Sequence, residues 1–83
     1  MKIAIIGTGN LGIAIAEGLI TTNAVTTLYL TKRNTETINK FAEYKGVTVT
    51  SDNRLAAQNS DILIFAVQPS QFEGILESIK DLL

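Results

Sequence analysis

The amino-acid sequence predicts an α/β fold in which helices flank a parallel β-sheet, and three observations support this prediction. Short apolar runs alternate along the chain with segments whose apolar residues recur at helical spacing. The runs at 3–6 and 62–67 contain no polar residue, which is typical of parallel strands covered on both faces. A glycine-rich turn joins the first run to the first helical segment. Strands and helices that alternate in this way are usually joined by right-handed crossovers.

Four runs of the sequence predict strands, at 3–6, 26–30, 47–49 and 62–67. With right-handed crossovers the expected sheet order is 3-2-1-4. A ligand cleft is expected where the order reverses, at the carboxyl ends of the first and fourth strands. The fourth strand then forms an apolar sheet edge, which natural proteins usually cover. The sequence therefore predicts either a longer protein or a partner that covers this edge.

Four further segments predict helices. The first extends over about 10–20, the second ends at Gly46, the third is short and ends near Ala57, and the last follows the fourth strand. The predicted apolar face of the first helix consists of Leu11, Ala14, Ile15, Gly18 and Leu19. The predicted capping residues are Asn34 or Thr35, Ser51 or Asp52, and Ser70, which pairs with Glu73 in a capping box.

Composition narrows the class of protein. The 83 residues correspond to one small domain. The absence of cysteine excludes a disulfide framework and fits a reducing, cytoplasmic setting. The absence of histidine removes the commonest general base and metal ligand, so no metal is expected. A net charge of −1 gives no electrostatic case for nucleic-acid or membrane partners, and the apolar runs are too short to span a bilayer.

The turn after the first strand has the spacing Gly-x-Gly-x-x-Gly, which is typical of a Rossmann-like dinucleotide-binding fold. Gly7 permits the tight turn, Gly9 lets a pyrophosphate approach the backbone, and Gly12 lets the helix pack closely on the strand. The helix N-terminus offers free N–H groups to the phosphates. The other interpretation is a glycine turn that only packs a helix on a strand. The predicted pyrophosphate-binding residues are Gly7, Thr8, Gly9, Asn10, Leu11 and Gly12.

The turn after the second strand is basic, with the sequence Thr31, Lys32, Arg33. Proteins that bind NAD place an acidic residue here to accept the ribose hydroxyls. No acid occurs between Glu17 and Glu36, and cations suit a 2′-phosphate, so NADP(H) is favoured over NAD(H). The alternative is that the two cations belong to a solvated loop.

Four motifs together resemble the N-terminal domain of the pyrroline-5-carboxylate reductase family, over essentially the whole chain. The motifs are the glycine turn, Thr31-Lys32-Arg33-Asn34, Ser51-Asp52-Asn53, and Ser60-Asp61 followed by Ala66-Val67-Gln68-Pro69. The family reaction reduces 1-pyrroline-5-carboxylate to L-proline by hydride transfer from NADPH, in proline biosynthesis. A helical C-terminal domain supplies the family's substrate site and dimer interface. The resemblance therefore implies a homo-oligomeric enzyme, of which residues 1–83 are an incomplete nucleotide-binding domain, inactive alone.

The resemblance also assigns roles. It implies that Thr31 and its basic neighbours contact the 2′-phosphate and that Asn53 contacts the adenosine end of the cofactor. The residues implied to line the nicotinamide side are Ala66, Val67, Gln68 and Pro69. The family usually has Lys where this chain has Gln68, so an electrostatic role at that position is not expected. Pro69 also suits a plain strand-to-helix turn, and Asn53 a position at a helix start.

Two other functions stay open. A non-catalytic module that senses NADP(H) would need only the cofactor site, and another imine or hydroxyacid oxidoreductase would share the same nucleotide domain. No residue is assigned as catalytic, because Tyr29 and Tyr44 lie at positions typical of packing residues.

Overall fold

A computed structural model of the chain describes residues 1–22 and 27–83. Within these residues, one parallel sheet consists of β1 (Lys2–Ile6), β2 (Thr27–Thr31), β3 (Val47–Thr50) and β4 (Ile62–Phe65). The α-helices are α1 (Asn10–Thr22), α2 (Asn53–Gln58) and α3 (Pro69–Ile79). Short 3-10 segments occupy Thr35–Thr37, Asn39–Glu43 and Lys80–Leu82. The predicted second strand began at Thr26, which lies outside the described residues.

The strand order is β3-β2-β1-β4, which confirms the predicted topology. In the parallel register, Ile5 of β1 is paired with Leu30 on one side and with Ile64 on the other. The chain moves outward from β1 to β2 and β3, and then crosses back to place β4 beside β1. The carboxyl ends of β1 and β4 therefore diverge at the point where the order reverses, which is where α/β sheets bind ligands.

The two faces of the sheet bury different cores. On one face, β1 and β2 residues such as Ile5 and Leu30 pack with Ala16 of α1 and with Ile38 and Phe41. On the other face the buried residues are smaller, Ala4, Ile6 and Ala56, with half-buried neighbours around them. Those neighbours are Tyr29, Leu63, Phe65 and Ile75. The sheet is thus the middle layer between α1 with the first two 3-10 segments on one side and α2 with α3 on the other, a Rossmann-like arrangement.

β4 is the outer strand next to β1, as predicted, and it is less buried than β1. The exposed fraction is 41% for Ile62 of β4 and 37% for Phe72 of α3. Phe72 packs edge-on against Phe65, with 5.1 Å between the ring centroids. This side of the domain therefore presents a partly exposed apolar surface along the sheet edge.

The prediction of a second α-helix ending at Gly46 is wrong, since that segment forms two 3-10 turns. Ile38 and Phe41 are its buried residues and lie three positions apart, which is the period of a 3-10 helix. Asn34 does act as the predicted cap, because its Oδ1 accepts a hydrogen bond from the Glu36 N–H over 3.1 Å.

The predicted capping box of the last helix is also wrong. α3 begins at Pro69 and has Gln68 at the capping position, where it makes no side-chain capping hydrogen bond. Proline is favoured at the first helical position because its ring fixes φ and it lacks an N–H, so the helix starts before Ser70. At α2 the structure selects Asp52 over Ser51 as the cap.

The face of α1 that meets the sheet matches the predicted stripe only in part. Ile15 and Leu19 pack against the core as predicted, whereas Leu11, Ala14 and Gly18 are exposed. Gly12 and Ala16 are the buried residues of this helix. The helix packs closely enough that its smallest residues, rather than its larger ones, contact β1 most fully.

Candidate functional site

A cleft of about 740 Å³ opens at the carboxyl ends of the strands, where the sheet order reverses. Three turns border it: the glycine turn after β1, the basic turn after β2, and the turn between β4 and α3. The residues that line it are Gly7, Gly9, Thr31, Lys32, Arg33, Asn34, Ser51, Asn53, Ala66, Val67, Gln68, Ser70, Gln71, Gly74 and Ile75.

Gly7 makes the turn out of β1 with a backbone angle φ of 76°. Residues with a side chain rarely adopt this left-handed conformation. A Cβ at this position would also collide with Cγ1 of Val67. Gly7 therefore serves both as the turn residue that the sequence predicts and as the point where the β4–α3 turn packs against the glycine turn.

Gly9 and Gly12 have opposite surroundings. A Cβ at Gly9 would have no heavy atom within 4 Å, so the backbone is open to the cleft. A Cβ at Gly12 would lie 3.2 Å from side-chain atoms of Ile5 and Thr8 and 3.3 Å from Ala66. The space beside Gly9 is therefore available to a ligand, whereas Gly12 allows α1 to pack on β1.

The N-terminus of α1 lies at this opening. The Ile13 N–H donates to the Gly9 carbonyl over 2.8 Å, which is the first bond of the helical pattern. Because the first turn of a helix has N–H groups without intrahelical acceptors, those of Asn10 and Leu11 are available to an acceptor at the opening. Oriented N–H groups and the helix dipole make such an opening suitable for a phosphate.

Thr31 ties the glycine turn to the end of β2. The Thr8 N–H donates to the Thr31 carbonyl over 2.7 Å, and the Gly7 N–H donates to Thr31 Oγ1 over 3.1 Å. Thr8 is fully buried, and its hydroxyl donates to the Ile5 carbonyl over 3.2 Å. The first turn and the second turn of the cleft are therefore one connected unit.

The two cations of the basic turn differ in their hydrogen-bond partners. Lys32 Nζ donates to Thr37 Oγ1 over 2.8 Å, which folds this side chain along the neighbouring 3-10 segment. Arg33 is exposed, and its guanidinium has no hydrogen-bond or ion-pair partner within residues 1–22 and 27–83. The described residues that line the cleft include these two cations and no carboxylate. Arg33 is therefore the more available cation for an anionic ligand.

Ser51, two residues before α2, and Asn53, its first residue, also border the cavity. Asp52 lies between them and is used by the helix itself. Its Oδ1 accepts hydrogen bonds from the Arg54 and Leu55 N–H groups over 3.0 and 3.1 Å. The remaining wall is formed by the β4–α3 turn and the first two turns of α3.

The structure brings most of the predicted site residues to this cleft. The predicted residues that line it are Gly7, Gly9, Thr31, Lys32, Arg33, Asn53, Ala66, Val67 and Gln68. The predicted residues that do not line it are Thr8, Asn10, Leu11, Gly12 and Pro69. Thr8 and Gly12 are buried, while Asn10, Leu11 and Pro69 are exposed. The last three residues lie at the starts of α1 and α3, next in sequence to the turns that border the cleft.

Sequence reasoning missed part of the cavity wall, namely Asn34, Ser51, Ser70, Gln71, Gly74 and Ile75. Asn34 and Ser51 belong to the sequence motifs that contain the predicted residues Arg33 and Asn53, so the motifs could have indicated them. The α3 residues at spacings of one, three and four form one face of a helix, and only its docking angle turns that face toward the cavity.

Two other kinds of site find no support in the part of the chain that the structure describes. No group of three or more His, Cys, Asp or Glu side chains could hold a metal ion there. None of its helices combines the length and the apolar character needed to cross a bilayer.

The fold and the cleft define a nucleotide-binding domain of the Rossmann class. The family model described as "NADP oxidoreductase coenzyme F420-dependent" matches residues 2–83. The chain belongs to this family, and the description indicates a nicotinamide dinucleotide as the cofactor.

Similar proteins carry a more specific name. Pyrroline-5-carboxylate reductase 2 from Dictyostelium discoideum is 42% identical over 98% of this chain and 28% of its own length. Pyrroline-5-carboxylate reductase from Staphylococcus epidermidis is 31% identical over 98% of this chain and 31% of its own length. The solved structure of a pyrroline-5-carboxylate reductase from Coxiella burnetii superposes with a TM-score of 0.89 at 36% identity, covering 99% of this chain and 31% of that one. The chain thus spans less than a third of the length of each of these relatives.

Proposed function

We propose that the chain is the NADP(H)-binding part of a pyrroline-5-carboxylate reductase. The observation that carries this proposal is the composition of the cleft at the switch point. A glycine turn with open space beside Gly9 borders one side, and Lys32 and Arg33 border another, with no carboxylate among the described lining residues. The names of the similar proteins support the choice of enzyme.

The charge of the cleft supports NADP(H) over NAD(H). A 2′-phosphate carries a charge that a guanidinium can bind through two parallel hydrogen bonds, whereas a ribose 2′-hydroxyl is usually bound by a carboxylate. Arg33 has no competing partner within the described residues, so binding a phosphate breaks no existing ion pair. Lys32 would have to give up its bond to Thr37 or share it. Arg33 is therefore the main determinant of cofactor choice in this proposal.

The positions of the turns give the cofactor a direction. The pyrophosphate would lie against Gly9 and the N-terminus of α1, including the backbone of Asn10 and Leu11. The adenosine end would lie toward Asn53 and the basic turn. The nicotinamide side would be lined by Ala66, Val67 and Gln68, and Pro69 fixes the backbone direction as α3 begins.

When bound, the cofactor supplies the hydride, and the residues of this chain bind and orient it. The proposed acceptor is the imine 1-pyrroline-5-carboxylate, which is reduced to L-proline in proline biosynthesis. As the resemblance implies, we also propose that the substrate and subunit contacts of a homo-oligomeric enzyme involve residues outside these 83, and that the enzyme is cytoplasmic. The 83 residues alone are then expected to bind cofactor without turning over this substrate.

One observation favours a second candidate, a non-catalytic module that senses NADP(H). The ionisable side chains among the described lining residues are Lys32 and Arg33, which both lie at the basic turn. The wall formed by Ala66, Val67 and Gln68 has no ionisable side chain to donate a proton. Reductase activity in a longer natural protein that contains this chain would exclude the module, whereas binding without activity there would favour it.

The proposal is tested by titrating the chain with NADPH and with NADH, following the fluorescence of the reduced nicotinamide. Tighter binding of NADPH is expected, and the Arg33→Gln variant is expected to weaken NADPH binding by about tenfold or more, because charged hydrogen bonds contribute about 1.5–3 kcal/mol. NADH binding should change little. The preference for NADPH should also diminish at high salt, since an exposed charge pair is screened.

The matched control is Lys45→Gln, which removes one positive charge just before β3, at the amino-terminal edge of the sheet and away from the cleft. It should leave both affinities unchanged. Equal affinities for the two cofactors in the unmodified chain, or an equal loss of NADPH affinity in the control, would overturn the assignment of the 2′-phosphate to Arg33.

A further inference from the structure

Thr31 supplies two acceptors to the glycine turn, one from its backbone and one from its side chain. The Thr8 N–H donates to the carbonyl over 2.7 Å, and the Gly7 N–H donates to Oγ1 over 3.1 Å. Thr31 has an exposed fraction of 0%, so these bonds are shielded from competing water. The residue is thus part of the framework of the cleft as well as of its wall.

The side-chain bond acts at the point where strand pairing stops. The register between β1 and β2 extends to Ile5 and Leu30, and β1 ends one residue later at Ile6. Gly7 then leaves the strand direction with its positive φ. Gly9 and the first N–H groups of α1 follow at once. A displacement of Gly7 would therefore move the groups that the proposed function assigns to the pyrophosphate.

We infer that Thr31 is a positioning residue, whose hydroxyl fixes the glycine turn in the geometry that binds the cofactor pyrophosphate. The inference rests on the proposed NADP(H) site. The next two residues, Lys32 and Arg33, act on the 2′-phosphate, which only NADP(H) carries. Adjacent residues therefore have separable effects: Thr31 influences the binding of both cofactors, and Arg33 influences their ratio.

Two substitutions isolate the hydroxyl. Thr31→Val preserves the branched shape that suits a strand but removes the acceptor of the Gly7 N–H. Thr31→Ser keeps that acceptor. The chain also offers a control in Thr48→Val, in the middle of β3. Thr48 is exposed, is the register partner of Tyr29 and is not among the described residues that line the cleft.

Titrations with NADPH and NADH give the first test. Thr31→Val is expected to weaken the binding of both cofactors by the same factor, about tenfold, because it leaves a backbone donor without an acceptor. Thr31→Ser should restore both affinities, and Thr48→Val should leave them unchanged. A loss confined to NADPH would overturn the inference, and so would an equal loss in Thr48→Val.

Amide hydrogen exchange in the cofactor-free chain gives the second test, which does not depend on the proposed function. The Gly7 amide is expected to exchange about tenfold faster in Thr31→Val than in the unmodified chain or in Thr31→Ser. Unchanged protection would overturn the positioning role even if both cofactors bind. If the unmodified chain binds neither cofactor but the Gly7 amide still exchanges faster in Thr31→Val, the result would support the positioning of Gly7 by Thr31 and would overturn only the proposed function.

Discussion

The first N–H groups of α1 and α2 differ in whether a side chain of the protein accepts hydrogen bonds from them. At α2, the carboxylate of Asp52 accepts hydrogen bonds from the N–H groups of Arg54 and Leu55. At α1, the equivalent position is occupied by Gly9, which has no side chain to offer and has open space where one would start. Neither helix has an acidic residue in its first turn, so the capping residue is what differs.

This difference separates stability from binding. A helix whose first N–H groups are satisfied by its own cap gains about 1 kcal/mol of stability and has little left to offer a ligand. A helix that starts at glycine forgoes part of that stabilisation and keeps its N–H groups and its dipole for an anion. In this domain the N-terminus of α2 is capped by its own side chain, whereas the uncapped N-terminus of α1 suits a phosphate.

The largest effect is expected when α1 is given the cap that α2 has. Gly9→Asp places a carboxylate where an added Cβ meets no atom within 4 Å, and Gly9 lacks the positive φ of Gly7. Stability should change by no more than about 0.5 kcal/mol, since glycine is already a tolerable cap. NADPH affinity should fall by about 100-fold or more, because the carboxylate occupies the N–H groups and repels the pyrophosphate.

Gly9→Ala controls for the added volume, and it should weaken binding less than Gly9→Asp because it adds no charge. Urea unfolding and the fluorescence titration measure the two quantities separately. An aspartate variant that binds NADPH as well as the unmodified chain would show that the start of α1 is not the phosphate site.

The converse change removes the cap from α2. Asp52→Ala should lower the free energy of unfolding by about 1 kcal/mol, the usual effect of losing a side-chain cap. The Asp52→Asn variant keeps an oxygen acceptor and should lose much less. Both are measured by urea unfolding without cofactor. An alanine variant as stable as the unmodified chain would show that the Asp52 hydrogen bonds contribute nothing net to α2.

The smallest effect is expected from the ion pair that ties α2 to the residues after α3. Arg54 Nη1 lies 2.8 Å and Nη2 lies 3.0 Å from the two Asp81 carboxylate oxygens. The hydrogen bond from Arg54 lowers the pKa of Asp81 below its ordinary value of 3.8. Both side chains are well exposed, at 46% and 62%, so the contribution to stability is small.

The sign of its pH dependence follows from the lowered pKa. A carboxyl group with a lower pKa in the folded chain contributes stability above its unfolded pKa and loses it as pH falls through its folded pKa. Asp81→Asn should therefore lower the urea midpoint slightly at pH 7 and reduce its fall in acid. The difference should vanish in an Arg54→Gln background, and a difference that persists there would have another source.

Much of the site could be predicted because it depends on short-range constraints. The glycine spacing and the basic residues after β2 are local features, and the crossover rule then places both at one end of the sheet. What the sequence could not predict depends on docking. The face of α3 that includes Gln71, Gly74 and Ile75 lines the cleft because of how α3 docks, with Phe72 packed on Phe65 of β4 and Ile79 buried.

The sequence by itself determined the parallel sheet, its order and the place of the glycine turn, since apolar runs, glycines and chain chirality act locally. The tertiary structure alone decided how neighbouring residues divide their roles. Thr31 is buried and holds Gly7, Lys32 bonds to Thr37, and Arg33 is left available. The physical reason is that Gly7 and Thr31, which are 24 positions apart, meet only after β1 and β2 have paired. The bond between Lys32 and Thr37 is local, but it is made to the 3-10 segment Thr35–Thr37, where the sequence pattern had predicted an α-helix.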